Sequence, residues 1–306
     1  MTAGPARLVG VDVGGTKCLG VAMDASGALL GEIRVETPDD PDELIAAIAR
    51  IALDLGATGC VGIGVPGLVN HDGVLLAAPN VTGVRNLRLR DLVQAASGLE
   101  VRVDNDNTVA CLAEWKLGAG RGSQDLILVG IGTGIGGGFV TGGVLQRGAH
   151  GFAGEVGHMI VQRDGLECPC GQHGCWERYA SGSGLATIAR AAVAAGQLAW
   201  AKDIEDLRGE DVTEAARGGD TEALAVIDVF ADWIALGLAN LTNLLDPDAI
   251  VLAGGVSADP EIFLPRIHTA MSRRLWGTEL RTHPTITFAE LGPAAGAIGA
   301  ALLTLD

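Results

Sequence analysis

Apolar positions along the chain follow two alternating rhythms. Short runs at residues 8–13, 18–23 and 29–35, separated by glycine-bearing turns, predict three strands. The segment 41–55 follows with Leu44, Ile45, Ile48, Ile51 and Ala52 at helical spacing, so the order opens β, β, β, α. Residues 60–65 and 101–103 predict two more short buried strands, and each runs straight into residues with chemistry. Residues 66–70 follow the first, and Asp104, Asn105, Asp106 and Asn107 follow the second. In open α/β sheets ligands bind beyond the carboxyl ends of strands, which favours both places for a site.

After a helix over 108–117 and a glycine-rich stretch at 118–123, the pattern restarts. Residues 126–131, 137–141 and 144–145 predict a second set of strands about a glycine-rich hairpin, and 185–245 reads as mostly helical. A strand over 249–253 leads into a tight turn at Gly254 and Gly255, and a last strand over 285–289 precedes a small-residue helix over 293–303. The second set repeats the layout of the first with little residue identity, as a diverged duplication would. The restart divides the chain into a small N-terminal lobe, 1–118, completed by the C-terminal segment 293–306, and a larger lobe, 119–292.

A chain of 306 residues has room for two such lobes. Apolar types at 48% and charged types at 19% are ordinary globular usage, which excludes fibrous and wholly disordered classes. Lys and Arg number 21 against 37 Asp and Glu, a net charge of -16, and counterion release from nucleic acid needs the opposite balance. Nucleic acid is therefore excluded as the main partner, while a phosphorylated small molecule is not, because local backbone N–H groups bind phosphate whatever the net sign. The opening residues hold no signal-peptide core, and the longest uncharged apolar stretches, 126–140 and 233–245, fall short of the ~20 residues of a spanning helix. A soluble protein without membrane association is expected. Cys18, Cys60 and Cys111 lie scattered in apolar company, as small buried hydrophobes of a reducing cytoplasmic protein would.

Three glycine-rich elements stand out. In the first, Asp12, Gly14, Gly15, Thr16 and Lys17 lie between two strands: the glycines let backbone approach a phosphate, Thr16 and Lys17 add donors, and Asp12 could hold Mg²⁺ through water. An ordinary hairpin turn with a surface lysine fits the same residues. The second runs through Gly132, Thr133, Gly134, Gly136 and Gly137. It contains G-x-G-x-x-G, but a hairpin follows where the dinucleotide fingerprint needs a helix, so a phosphate-binding turn is expected and a nicotinamide site is rejected. The third is the turn at Gly254 and Gly255. No G-x-x-x-x-G-K-[ST] occurs.

Cys168, Cys170 and Cys175 are too close-set for a disulfide framework and point to metal. Three thiolates and one imidazole make a closed tetrahedral zinc site. His158 and His173 compete for the fourth place, although His173 would crowd Cys175 two residues away. The tetrad 104–107 can supply a carboxylate base for phosphoryl transfer to an alcohol, with Asp104 and Asp106 as rivals, and the same residue types also cap helices.

The order of these elements resembles the sugar kinase, actin and Hsp70 superfamily. Within it, the stretch from Val129 through Gly148, Gly151, Gly154, Glu155, Val156, Gly157 and His158 to Cys168, Cys170, Gly171, Cys175, Trp176 and Glu177 is similar to the ROK family of bacterial hexokinases and repressors. The resemblance implies an α/β, two-lobed, actin-like (ribonuclease-H-like) fold with an interlobe active-site cleft. It implies ATP with Mg²⁺, a structural Zn²⁺ on His158 and the three cysteines, and phosphorylation of glucose at its 6-hydroxyl. Asp106 becomes the catalytic base, Asn105, Asn80, Gly67, Glu155, His158 and Glu177 become sugar contacts, and the glycine turns grip the nucleotide. A repressor of this family carries a DNA-binding segment ahead of the first phosphate hairpin, whereas here that hairpin begins by Leu8, which favours the enzyme. Other hexoses, N-acetylhexosamines and polyphosphate stay open as substrates. The resemblance also implies a homo-oligomer, a dimer or tetramer.

Overall fold

The computed structural model describes residues 7–78, 85–200 and 205–305. The chain forms two compact units, one from Met1–Gln124, Gly138–Gly154 and Glu290–Asp306, the other from Asp125–Gly137 and Glu155–Ala289.

The first unit opens with β1 (Leu8–Val13), β2 (Lys17–Met23) and β3 (Leu29–Glu36), an antiparallel meander in which Val9, Val11 and Val13 turn inward. Helix α1 (Pro41–Asp54) starts where the Asp40 side chain accepts the N–H groups of Asp42 and Glu43 and Pro41 presets the first turn. Its Leu44, Ile48, Ile51 and Ala52 join the buried valines in one core. Next come β4 (Cys60–Val65), the small antiparallel strands β5 (Leu68–Val69), β6 (Leu75–Ala77) and β7 (Arg85–Leu87), helix α2 (Leu89–Ser97), β8 (Glu100–Asn105) and α3 (Asp106–Leu117). The main sheet has the order β3-β2-β1-β4-β8, with β1, β4 and β8 parallel.

A second five-stranded sheet is built from β9 (Leu126–Ile131), β10 (Ile135–Thr141), β11 (Val144–Gln146), β12 (Ala249–Gly254) and β13 (Thr285–Phe288) in the order β11-β10-β9-β12-β13. The helices between β11 and β12 are α4 (Glu177–Ala180), α5 (Gly182–Ala194), α6 (Gly209–Arg217) and α7 (Thr221–Leu245); α8 (Pro260–Ser272) precedes β13. Helix α7 has the length and apolar composition to cross a membrane, longer than the uncharged stretch 233–245 suggested. Its inner positions Val226, Ile227, Phe230, Ile234 and Leu238 are buried, and its outer Asp228 and Asp232 pair with Arg266 of α8 and with Arg274 just beyond it. It is thus the central core helix of the second unit.

The last helix, α9 (Ala295–Leu303), belongs to the first unit, where Ala297, Ile298 and Ala301 pack against Leu19, Val21 and Met23. Glycine permits this approach: a Cβ on Gly62 of β4 would lie 1.7 Å from the Ala300 carbonyl oxygen, and one on Gly299 1.7 Å from that of Val109. Small residues here are a packing requirement.

Several boundaries differ from the sequence pattern. Strand β8 runs through Asn105 and α3 starts at Asp106, so the acidic tetrad straddles a strand end and a helix start. Strand β10 starts at Ile135, which places Gly136 and Gly137 in the strand and leaves the turn to Gly132, Thr133 and Gly134. The pattern missed α2, which has no side-chain cap and buries only Leu89 and Val93, and α8, which carries Pro265 inside.

Candidate active site

Strands β1, β4 and β8 of the first unit bring three positions into one row: Asp12 is opposite Gly64, and Gly64 is opposite Asp104. This is the carboxyl end of a parallel set, where α/β sheets hold ligands. Asn105 ends β8 and caps α3, its Oδ1 accepting the N–H groups of Asn107 at 2.8 Å and Thr108 at 3.2 Å. Its Nδ2 donates to the Gly67 carbonyl at 3.1 Å. Capping is therefore one real role of the tetrad. Gly67 needs to be glycine, with φ at 102° and the Ala77 carbonyl oxygen 2.1 Å from where a Cβ would sit.

The two candidate bases are in different situations. Asp104 is buried, its Oδ2 receiving Arg147 Nε at 2.5 Å and its Oδ1 the Asn105 N–H at 2.9 Å. Asp106 is half-buried; its Oδ1 accepts the Asn107 N–H at 2.9 Å and Asn107 Nδ2 at 3.0 Å. Burial raises its pKa above the ordinary carboxylate value, against the lowering effect of those hydrogen bonds. Asp12 is pushed up to about 7, by burial first and by the neighbouring Asp106 charge second. Asp12 Oδ1 is buried without a hydrogen-bond partner, and the backbone of Gly296 at the start of α9 packs against the same carboxylate. An orphaned buried carboxylate oxygen beside a second carboxylate is a donor set that suits a hard cation such as Mg²⁺.

The hairpin beyond Asp12 is closed by Gly14 N–H on the Lys17 carbonyl at 2.9 Å and by Thr37, whose hydroxyl donates to the Gly14 carbonyl at 2.7 Å. Gly15, Thr16 and Lys17 are exposed at its tip, with Lys17 already the first residue of β2.

In the second unit, one ligand atom each from His158, Cys168, Cys170 and Cys175 lies within 4.8 Å of all the others. Cys170 Sγ is 3.6 Å from Cys175 Sγ, and Cys168 Sγ is 3.8 Å from His158 Nδ1. Three thiols and an imidazole this close fit tetrahedral zinc with no position left for substrate. Burial raises the Cys168 and Cys175 thiols, an environment in which a metal cation would favour the thiolates. His173 lies outside this cluster and pairs as a β-bridge with Glu167. The loop folds back at Gly174, where a Cβ would lie 1.7 Å from the Gln162 carbonyl oxygen. Trp176 anchors it: fully buried, it donates Nε1–H to the Trp233 carbonyl at 2.8 Å and lies flat on Gly237 of α7.

The other ring nitrogen of His158, Nε2, is 3.8 Å from Glu155 Oε2. Glu177 joins two parts of the unit. Its Oε1 is 3.2 Å from Cys168 Sγ, and its Oε2 accepts the Ile135 N–H at 3.4 Å and would clash with any Cβ on Gly134. The glycine turn is held further by the Gly182 N–H on the Gly132 carbonyl at 2.8 Å, which sets the N-terminus of α5 against it. Beside that turn is a cavity of about 800 Å³ lined by Gly132, Thr133, Ser183, Gly255, Arg178 and Arg190, among others. Arg178 Nε is buried there without a hydrogen-bond partner. Backbone N–H groups, a helix N-terminus and guanidinium groups around a cavity of this size suit a nucleotide. Gly254, at φ 88°, makes the close turn that brings β12 against the Ile131 carbonyl.

The first unit thus gathers Asp12, the Gly14 to Lys17 hairpin, Gly67, Asn105 and Asp106, and the second gathers the glycine turn, Glu155, His158, the cysteines, Glu177, Gly254 and Gly255. Asn80 lies outside the described residues. Sequence reasoning passed over Arg147 and Arg178; an arginine outside any motif gives no signal until its carboxylate or its cavity is seen.

The family model described as "ROK family" matches residues 8–306, and the chain belongs to that family of actin-like sugar kinases and regulators. Among its relatives, a glucokinase from Streptomyces coelicolor is 38% identical, covering 97% of this chain and 97% of its own length. An N-acetyl-D-glucosamine kinase from Shigella boydii is 32% identical over 97% of this chain and 98% of its own. The crystal structure of a ROK family glucokinase from Streptomyces griseus, in complex with glucose and AMPPNP, superposes with a TM-score of 0.86 at 38% identity, covering 97% of this chain and 99% of that one.

Proposed function

We propose that this chain is a glucokinase, transferring the γ-phosphoryl group of ATP to the 6-hydroxyl of glucose and giving glucose 6-phosphate and ADP. Glucokinase relatives matched end to end support the reaction. The observation that carries the assignment of the base is the contrast between Asp104, held by Arg147, and Asp106, held by amides alone. Asp106 takes the proton of the 6-hydroxyl as that oxygen bonds to the γ-phosphorus and the bond to ADP breaks. Its raised pKa suits a base that must accept a proton and then release it.

The Asn105 side chain, held by Gly67 and hydrogen-bonded to Asp106, sits beside the proposed base where a sugar hydroxyl would lie, and Gly67 itself shapes the wall. Asn80 keeps its place in this reading as a further sugar contact. Glu155, His158 and Glu177 accept or share hydrogen bonds with ring hydroxyls. Zinc on the three cysteines and His158 Nδ1 would fix the imidazole so that Nε2 faces Glu155 and the sugar. Asp12 would hold magnesium, which neutralises charge on the ATP phosphates when bound. Gly14, Gly15, Thr16 and Lys17, with Gly132, Thr133 and Gly134, offer donors to the phosphates; Gly136 and Gly137 support the turn from within β10, and Gly255, which lines the cavity, and Gly254 before it would border the adenosine. In this reading the two compact units are the two lobes of the kinase, and the enzyme is a cytoplasmic homo-oligomer. Exposed Trp276 and Leu280 support an interface, and the unpaired thiols of Cys18, Cys60 and Cys111 support a reducing compartment.

A coupled assay over glucose, mannose, fructose, N-acetylglucosamine and N-acetylmannosamine, each with ATP and with polyphosphate, tests this. Glucose with ATP should have the highest kcat/KM. A higher value for an N-acetylhexosamine would move the assignment to that class of relative.

A further inference from the structure

A second cavity, of about 440 Å³, lies wholly within the first unit and is lined by polar and charged side chains. Arg90, Arg102 and Arg147 face it together with Glu100 and Asp104. Each carboxylate already has a guanidinium: Glu100 Oε1 is 3.3 Å from Arg102 Nε, and Asp104 Oδ2 is 2.5 Å from Arg147 Nε. Arg90 is the exception. It has no carboxylate partner among the described residues; one terminal nitrogen donates to the His71 carbonyl at 2.8 Å, and Nε is buried with no hydrogen-bond partner under Gly73. The His71 ring is itself held, with Nε2 at 2.9 Å from the Gly148 carbonyl, so the wall that positions Arg90 is braced. Among the described residues, a chain of net charge -16 therefore keeps one positive charge without a carboxylate in this polar cavity, next to two paired ones.

Guanidinium groups present planar forks of N–H donors that match phosphate oxygens, and a cavity of a few hundred Å³ holds an ion or a small ester. We propose that this cavity binds a small phosphate-bearing anion, with Arg90 supplying the uncompensated charge, and that its occupancy is felt at Asp106 through Arg147. The link is a short chain of contacts. Arg147 holds Asp104 Oδ2, Asp104 Oδ1 accepts the Asn105 N–H, and Asn105 caps the helix that begins at Asp106. An anion that draws on Arg147 loosens its hold on Asp104 without entering the site where sugar or nucleotide would bind. Arg147 is in this sense a positioning residue. The binding claim stands apart from the kinase reading; the coupling claim rests on it.

Calorimetric titration of inorganic phosphate into the full chain, saturated with glucose and AMPPNP so that the catalytic phosphate sites are filled, tests the binding. One saturable site per chain is expected. Arg90→Gln should weaken it at least ~10-fold while leaving kcat without phosphate unchanged, and Arg90→Lys, which keeps the charge, should weaken it less. Gln94→Glu, which puts a carboxylate on the exposed helix wall of the cavity without removing any contact of Arg90, should weaken binding as well and serves if Arg90→Gln folds poorly. Glucose 6-phosphate titrated the same way separates the sources: tighter binding than phosphate marks a sugar phosphate as the ligand, weaker binding marks free phosphate. In steady-state kinetics phosphate should lower kcat without raising the KM of glucose or ATP, and this effect should vanish in Arg90→Gln. Undiminished phosphate affinity in a folded Arg90→Gln or Gln94→Glu variant, inhibition purely competitive with ATP, or no saturable binding would overturn the site. Saturable binding with an unchanged kcat would overturn the coupling.

Discussion

At the scale of single residues, the proposed chemistry turns on two neighbouring carboxylates with different partners, Asp104 and Asp106. Asp106 is held only by neutral amide groups, so an amide in its place keeps much of the local geometry and loses the base. Asp106→Asn should lower kcat by ~10²–10⁴-fold with glucose binding retained, the usual range for removing a general base. Asp104→Asn removes the counter-charge of Arg147, and breaking a buried ion pair costs ~3–5 kcal/mol, so its main effect should be a lower melting temperature. Kinetics and a thermal melt on the pair of variants decide between them; a crippled but stable Asp104→Asn beside an active Asp106→Asn reverses the assignment. Asp12 carries a pH signature. Its pKa rises from 3.8 to about 7 in the folded chain, so the folded state holds a proton that the unfolded state has released. Its contribution to stability is present below pH 3.8, declines as pH rises, and is lost through about 7. In magnesium-free buffer the zinc-loaded protein should therefore lose stability relative to Asp12→Asn between pH 4 and 7, and denaturant midpoints at several pH values give the slope. A constant difference between the two would mean that Asp12 is already ionised in the fold.

Among the elements, the cysteine loop is the part most dependent on a ligand. It has little regular structure beyond two isolated bridges, and its shape rests on Gly174, on the Trp176 anchor and on the four metal-facing side chains. Cys170→Ser removes one thiolate from the exposed side of the cluster and should weaken zinc more than ~10-fold, the least that even outer-shell changes tend to cost. Melting temperature and glucose affinity should fall together if His158, a member of the metal cluster, is also the proposed sugar contact. Metal analysis beside the kinetics checks this, and full activity in a zinc-free preparation would contradict it. The cysteines of this loop were legible from their spacing and glycines, while the choice of His158 over His173 came from the family resemblance. The strands around Asp12 and the helix from Pro41 were legible for a similar reason: their apolar period is undisturbed and Asp40 and Pro41 mark the start. The exact edges of β8, α3 and β10 were not, since a cap is decided by which carbonyl and amide meet, and Asn105 does so one residue ahead of Asp106. Helix α8 escaped notice because Pro265 argues locally against the helix that packing on α7 sustains.

For the whole molecule, each unit offers what the other lacks. The first holds the carboxylates and the exposed Gly14 to Lys17 hairpin, and the second holds the cysteine loop, the glycine turn and the nucleotide-sized cavity. The proposed phosphoryl transfer draws on features of both; composition alone reached only a core-forming, acidic, glycine-rich protein, the apolar pattern added the α/β class, and the ordered motifs reached a family. The central claim is that the γ-phosphoryl group of ATP goes to the 6-hydroxyl of glucose. Phosphorus NMR of the full-length protein with Mg·ATP and glucose follows this directly. The γ resonance should be replaced by those of ADP and one phosphomonoester coupled to the two protons on carbon 6 of the sugar. Release of inorganic phosphate with glucose unchanged, or a phosphomonoester on any other hydroxyl, would contradict it.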